Sequence, residues 1–325
     1  MIRIGGPVAC LGETMVAMVP ETGETLAEAR RLRVEVAGAE SNAAMYLADH
    51  GVEARWVSAV GDDPFGRRIV AEVAACGVDV GGVRTDTGRP TGVMVKSPGG
   101  QGTRVHYYRR GSAASALGPR SLAAEAVRTA GLLHLTGVTA ALSDSCRDLV
   151  DSALSGPLPV SFDVNHRPAL WPDGAAPGVL RDFADRADIT FVGLDEAQEL
   201  WGAHLADAAD VRALLPGPRV LVVKDGARAA TAFDGATAHT VPARAVEVVE
   251  PVGAGDAFAA GFLTGLLRGE PPVRALRLGH VTAGAALRVP GDHGPLPDPA
   301  RIAHLLDATE ARWASAASPG GVTDR

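Results

Sequence analysis

Short runs of Val, Leu and Ile alternate with amphipathic stretches along most of the chain. Six of these runs, at 8–11, 55–60, 132–136, 160–164, 189–192 and 220–224, read as buried strands. Between them, 65–76, 143–154 and 176–186 carry the helical period. Apolar strands separated by helices predict a mostly parallel sheet covered on both faces, an α/β fold.

Two regions break the rhythm. Residues 14–36 show scattered Gly, Glu and Arg without a helical period. Residues 91–110 read as two strands, 91–96 and 103–109, around a Pro98-Gly99-Gly100-Gln101-Gly102 turn. Such a hairpin predicts a small β appendage over one edge of the main sheet, either a lid or an ordinary surface hairpin. After Lys224 the pattern predicts a short β region over 229–249. Phe258, Phe262 and Leu266 then recur every four residues, which predicts a helix over 255–268, and a second helix follows over 273–288. The small, polar residues 314–325 read as a loose tail after a domain spanning 1–313.

Composition narrows the classes. The 325 residues are 46% apolar and 21% charged, which is ordinary globular usage. A net charge of −7, with no Lys/Arg run longer than two, argues against a nucleic-acid partner. No stretch approaches about 18 uninterrupted apolar residues, so no membrane partner is expected. The start, Met1-Ile2-Arg3-Ile4-Gly5-Gly6, lacks the apolar run of a secretory signal. Cys10, Cys76 and Cys146 have no C-x-x-C spacing and read as thiols of a reducing compartment, so a cytoplasmic location is expected.

The chemistry concentrates in Glu250-Pro251-Val252-Gly253-Ala254-Gly255-Asp256-Ala257-Phe258. Gly253, Ala254 and Gly255 are small residues at the mouth of a long helix, where unpaired N–H groups and the helix dipole favour a phosphate. Asp256 in the first turn is placed to accept a proton from an attacking hydroxyl. By pattern alone, Asp256 as a mere helix cap is an equal reading. GxxxxGK[ST] is absent, and Val8–Leu11 is followed by Gly12-Glu13-Thr14 with no GxGxxG, which removes a Rossmann-type oxidoreductase.

At these residues the chain resembles the ribokinase (PfkB-type) carbohydrate kinases. Gly253-Ala254-Gly255-Asp256 with Gly261 is similar to their C-terminal signature. Ala37-Gly38-Ala39-Glu40-Ser41-Asn42 resembles their GG-x-x-x-N motif, with Ala37 for the first glycine, and Val60-Gly61-Asp62-Asp63-Pro64-Phe65-Gly66 their V-G-x-D-x-x-G element. Within the family, Tyr107-Tyr108-Arg109-Arg110-Gly111-Ser112-Ala113-Ala114-Ser115, Phe162-Asp163-Val164-Asn165-His166-Arg167 and Gly291-Asp292-His293 look like the subgroup acting on 2-keto-3-deoxygluconate.

The resemblance implies a three-layer α/β/α sandwich with a β lid formed by 14–36 and 91–110. It also implies ATP-dependent phosphorylation of a sugar-acid hydroxyl, with 2-keto-3-deoxygluconate converted to its 6-phosphate. Asp256 is the implied base, and Gly253, Ala254 and Gly255 form the anion hole. Substrate contacts fall to Gly38, Asn42, Tyr107, Arg109, Arg167, Asp256 and Asp292. The nucleotide side falls to Asn165, Arg167, Lys224, Gly226 and 253–255. Arginine's planar fork suits a substrate carboxylate, although a structural ion pair is the competing reading for Arg109 and Arg167. Glu196 is the implied Mg²⁺ residue, in a Gly193-Leu194-Asp195-Glu196 stretch where the family has N-x-x-E. A monovalent cation is allowed but weakened by Glu250 and Val252, which stand where the family has Asp and Thr. Met94 replaces a lid tyrosine, and the implied assembly is a homodimer made lid to lid. The alternatives are a kinase for another sugar (fructose, ribose or 5-keto-2-deoxygluconate) and a non-catalytic sugar-binding member of the fold.

Overall fold

The computed structural model describes residues 4–22, 24–97, 104–172 and 174–315. Among them, the strands are β1 (Val8–Leu11), β2 (Met15–Pro20), β3 (Leu32–Ala37), β4 (Ala54–Gly61), β5 (Asp79–Asp86), β6 (Val93–Ser97), β7 (Arg104–Tyr108), β8 (Leu132–Thr136), β9 (Val160–Asp163), β10 (Ile189–Gly193), β11 (Val220–Asp225), β12 (Ala229–Asp234) and β13 (Thr237–Pro242). Nine of these form one sheet in the order β13-β12-β11-β10-β9-β8-β1-β4-β5. All its pairings are parallel except β11–β12 and β12–β13, which are antiparallel.

Side chains alternate between two separate cores, as a pleated sheet requires. Val8 and Cys10 face one core while Ala9 and Leu11 face the other, and Val222 is likewise opposed to Leu221 and Val223. The first core is covered by the helices Ala39–Asp49, Pro64–Ala75, Ala254–Leu267 and Pro272–Ala286. The second is covered by Asp144–Leu154, Ala176–Arg186 and Leu194–Trp201. The result is the expected three-layer α/β/α sandwich. Phe191 of β10 meets Phe262 edge-on at 5.6 Å, which fixes the helix Ala254–Leu267 on the sheet. Such a pair adds about 0.5–1.5 kcal/mol beyond its buried area.

The remaining strands form a second sheet, β3-β2-β6-β7. Val16, with Met18, Val34 and Val36 beside it, packs on the first core, so the lid is seated on the main body through that face. Met15, Ala17, Ala37 and Met94 form a separate apolar cluster on the opposite face with Val105 and Tyr107. The turn expected at 98–102 lies outside the described residues, as does most of the tail.

Two expectations need correction. The β region read over 229–249 ends at Pro242: Ala243 N–H still bonds Arg228 O, and the chain then leaves the sheet to run toward Gly253. β5 was not expected at all. It is an edge strand, half-exposed and interrupted by Gly81 and Gly82, so it lacks the apolar run that marks its neighbours.

Candidate active site

Asp256 lies in the first turn of the helix Ala254–Leu267 and is buried. Gly253 precedes the helix with φ +85°, a left-handed conformation open to glycine. Any Cβ there would come within 2.7 Å of Asp292 O, so a side chain is excluded on both counts. Ala254 N–H closes the turn on Pro251 O at 3.4 Å, and the N–H groups of Gly255 and Asp256 follow at the positive end of the helix dipole.

Both carboxylate oxygens of Asp256 are held. Asn42 Nδ2 donates to Oδ2 at 2.9 Å, and Asn165 Nδ2 donates to Oδ1 at 3.0 Å. Asn42 comes from the helix Ala39–Asp49, whose N-cap Gly38 is extended and crowded: a Cβ there would lie 2.5 Å from Glu13 O. Asn165 follows β9 with φ +40°, a left-handed conformation that asparagine tolerates better than most residues. The Oδ1 atoms of both asparagines are buried and unpartnered.

Burial pushes the Asp256 carboxyl up to about 7. The Asn42 hydrogen bond and the Arg167 charge oppose that rise, while the negative charges of Asp163 and Asp292 add to it. Asp292 is also buried and sits beside Asn42, which reaches its Oδ2 at 3.4 Å.

Lys224 stands at the end of β11 and donates to Asp163 Oδ2 at 2.8 Å. Burial pulls its proton affinity down, but Asp163, Glu196 and Asp256 outweigh that and the net shift is upward, so Lys224 is a cation. Its Nζ lies 3.4 Å from where a Gly255 Cβ would stand, directly beside the start of the helix Ala254–Leu267. Gly226, with φ +51°, forms the turn after β11. Asp163 thus holds Lys224 and also accepts from Asn165 N–H at 3.3 Å.

The lid residues are arranged differently from a free pair of cations. Arg109 is buried and its Nε donates to Glu13 Oε2 at 2.6 Å; Ser112 Oγ donates to the other oxygen of Glu13. The Arg109 guanidinium also lies over the Tyr107 ring, 5.6 Å from its centre. The structural ion pair, the competing reading for Arg109, is therefore present. Arg167 is half-exposed, donates to His166 O at 2.9 Å and lies 3.9 Å from Glu196 Oε1. Glu196 caps its own helix by accepting from Gly193 N–H at 2.7 Å, and it accepts from His166 N–H at 2.9 Å. Among the described residues no cluster of three His, Cys, Asp or Glu side chains is placed to hold a metal.

Sequence reasoning passed over Glu13, Glu40 and Lys96. Glu40 is fully buried and accepts at one oxygen from Thr136 N–H, Thr136 Oγ1 and Thr139 Oγ1 at 3.1, 2.8 and 2.7 Å. It ties the Asn42 helix to the end of β8. Lys96, 1% exposed, donates to Asp292 Oδ1 at 3.0 Å and lies 3.9 Å from Glu250 Oε2. Its signal was the period of two: it shares a face of β6 with Met94, so the register directs a lysine inward.

The family model for pfkB family carbohydrate kinases matches residues 7–299. The chain belongs to the pfkB family carbohydrate kinases. It is 35% identical over 306 residues to a 2-dehydro-3-deoxygluconokinase of Thermoproteus tenax, covering 93% of this chain and 94% of that protein. A 2-dehydro-3-deoxygalactonokinase of Haloferax volcanii is 32% identical, covering 86% and 91%. The crystal structure of a putative ribokinase II from E. coli with ATP and Mg²⁺ superposes with a TM-score of 0.83 at 21% identity, covering 93% of this chain and 99% of that one. As a pfkB kinase, the protein phosphorylates a sugar-type substrate from ATP. No helix among the described residues is long and apolar enough to cross a membrane.

Two cavities complete the picture. One of ≈ 290 Å³ is lined by Val246, His280, Val281, Gly284 and Leu296, and the segment from 243 to 250 connects it to the Gly253 turn. Burial lowers His280 to about 4, and its Nε2 lies 3.1 Å from Val241 O, so the ring is neutral with its proton on Nε2. The other, ≈ 590 Å³, lies at the β4–β5 edge beside Arg55 and Arg84 and includes none of the candidate site residues.

Proposed function

We propose that the protein transfers the γ-phosphoryl group of ATP to the terminal hydroxyl of 2-keto-3-deoxygluconate, giving the 6-phosphate. The observation that carries this reading is Asp256: buried, clamped at both oxygens, set at the N-terminus of a helix and poised near neutrality. A base with a proton affinity near the working pH is the most effective acceptor.

Asp256 takes the proton of the attacking hydroxyl. The N–H groups at Gly253 and Gly255 face the charge that grows on the transferred phosphoryl oxygens, Ala254 N–H being shared with Pro251 O, and Lys224 beside Gly255 adds a positive charge. Asn42 and Asn165 keep the carboxylate aimed, and their unpartnered Oδ1 atoms are acceptors for substrate hydroxyls or for water on a metal. Mg²⁺ usually arrives with nucleotide phosphates and needs only one or two protein oxygens. The hard oxygens of Asn165 and Glu196 fit that demand, and the ion would supply charge neutralisation at the phosphates. The adenine end belongs in the ≈ 290 Å³ cavity beside His280.

The sugar-acid identity rests on the relatives' names and on Arg167 at the mouth of the site. A neutral sugar is the second reading, favoured by one observation: Glu13 already neutralises Arg109. A coupled ADP-release assay across keto-sugar acids, fructose and ribose separates the two. Turnover on the keto acid far above that on neutral sugars supports the first; the reverse order establishes the second.

A further inference from the structure

Lysine is almost never fully buried without a partner, and Lys96 is buried to 1% exposure on the Met94 face of the lid. Its two partners have something in common. Glu250 lies three residues before Gly253, and the Asp292 backbone is the surface against which Gly253 turns. Asp292 also shares Asn42 with Asp256. A continuous path therefore runs from β6 through Lys96, Asp292 and Asn42 to Asp256.

Charge gives this path a purpose. Asp256 and Asp292 share the Asn42 amide and Glu250 lies beside Lys96, so carboxyl groups gather along this path, and like charges there oppose the arrival of a phosphoryl group. The Lys96 ammonium is the lid's counter-charge to two of them. If the lid lifts, Lys96 leaves with β6, and the carboxylates lose their partner.

We propose that Lys96 is a positioning residue that couples seating of the lid to assembly of the phosphoryl-transfer site, by holding Asp292 and Glu250 against the Gly253 turn. The inference rests on the kinase reading above and adds to it the one lid residue, Lys96, that carries the coupling. It assigns Lys96 no contact with substrate.

The test is Lys96→Ala, assayed with ATP and the best sugar of the panel, with and without n-propylammonium, the fragment that the substitution removes. Loss of a charge-assisted contact should lower kcat/KM on the order of 10–100-fold. ATP affinity measured without sugar should be unchanged, and propylammonium should restore turnover. A merely structural lysine would lower the melting temperature and leave turnover below it intact. Unchanged turnover overturns the proposal, and so does a loss in a folded variant that the amine fails to restore. If the alanine protein does not fold, Lys96→Met keeps most of the side-chain length without charge. It must then lose turnover at unchanged ATP affinity, and a parallel loss of both, or no loss, overturns the proposal. A wild-type protein that phosphorylates no sugar overturns the kinase reading itself, before any variant is made.

Discussion

Asn165 holds a left-handed backbone conformation, φ +40°, and from it donates to Asp256 Oδ1 at 3.0 Å. A non-glycine residue in that region is uncommon, and the strain persists where surrounding structure imposes it. Here the imposed geometry brings an amide to a carboxylate 91 residues away. Asp256→Asn should therefore keep the fold, since asparagine is accommodated at a helix start, yet lower kcat by at least ~10²-fold through loss of the proton acceptor. Initial rates together with circular dichroism check both halves. Near-normal turnover removes Asp256 from the mechanism.

The pH dependence has two signs. Asp256 must be ionised to accept a proton, so kcat/KM should rise with pH through about 7. Stability should move the other way. The folded carboxyl is raised from 3.8 to about 7, so the folded state binds the proton more tightly than the unfolded one between those values. The contribution is full below pH 3.8 and is lost as pH rises through about 7. Asp256→Asn should then be the more stable protein at pH 8, by up to roughly 4 kcal/mol. Denaturant melts of both proteins at pH 5 and pH 8 measure the difference, and a variant less stable at pH 8 rejects the idea.

The lid sheet has two outer strands, β3 and β7, and each carries an exposed apolar side chain: Leu32 at 38% and Tyr108 at 68%. Unpaired edges with apolar side chains call for cover. We expect a homodimer made lid to lid, which Tyr108→Glu weakens. Light scattering checks it, and a wild-type monomer at all working concentrations refutes it.

The fold was legible where burial is two-sided. β1, β4 and β8–β11 are apolar on both faces because helices cover both sides of the sheet, and such runs stand out. β5 was invisible because an edge strand need not be apolar. The helix Ala39–Asp49 was seen only as a motif: Glu40 to Leu47 are all buried, so it has no polar face to mark a period. In the site, Gly253, Ala254, Gly255 and Asp256 are contiguous in sequence and could be read directly as one motif. The clamp could not. Asn42 and Asn165 lie 214 and 91 residues from Asp256, and only the topology joins them. Arg109 was read as a substrate cation because nothing local shows Glu13, 96 residues earlier, reaching its guanidinium.

That last pairing makes the two arginines separable. Arg109→Ala leaves Glu13 buried without its cation, and breaking a buried pair in this way costs about 3–5 kcal/mol. The first loss should therefore be stability, seen as a lower denaturation midpoint. Arg167 is half-exposed and carries no such burden. If it meets the substrate carboxylate, Arg167→Ala should raise KM for a keto acid on the order of 10–100-fold more than for a neutral sugar. Arg167 also lowers the proton affinity of Asp256, so part of its loss should be shared by every sugar and should appear as an acid limb moved to higher pH. The carboxylate role needs an additional, acid-specific loss on top of the shared one. Steady-state kinetics of wild type and variant on one keto acid and one neutral sugar, across pH 6–9, resolve the two components. Equal losses on both sugars would assign Arg167 to the phosphoryl side alone, and the neutral-sugar reading would then lead.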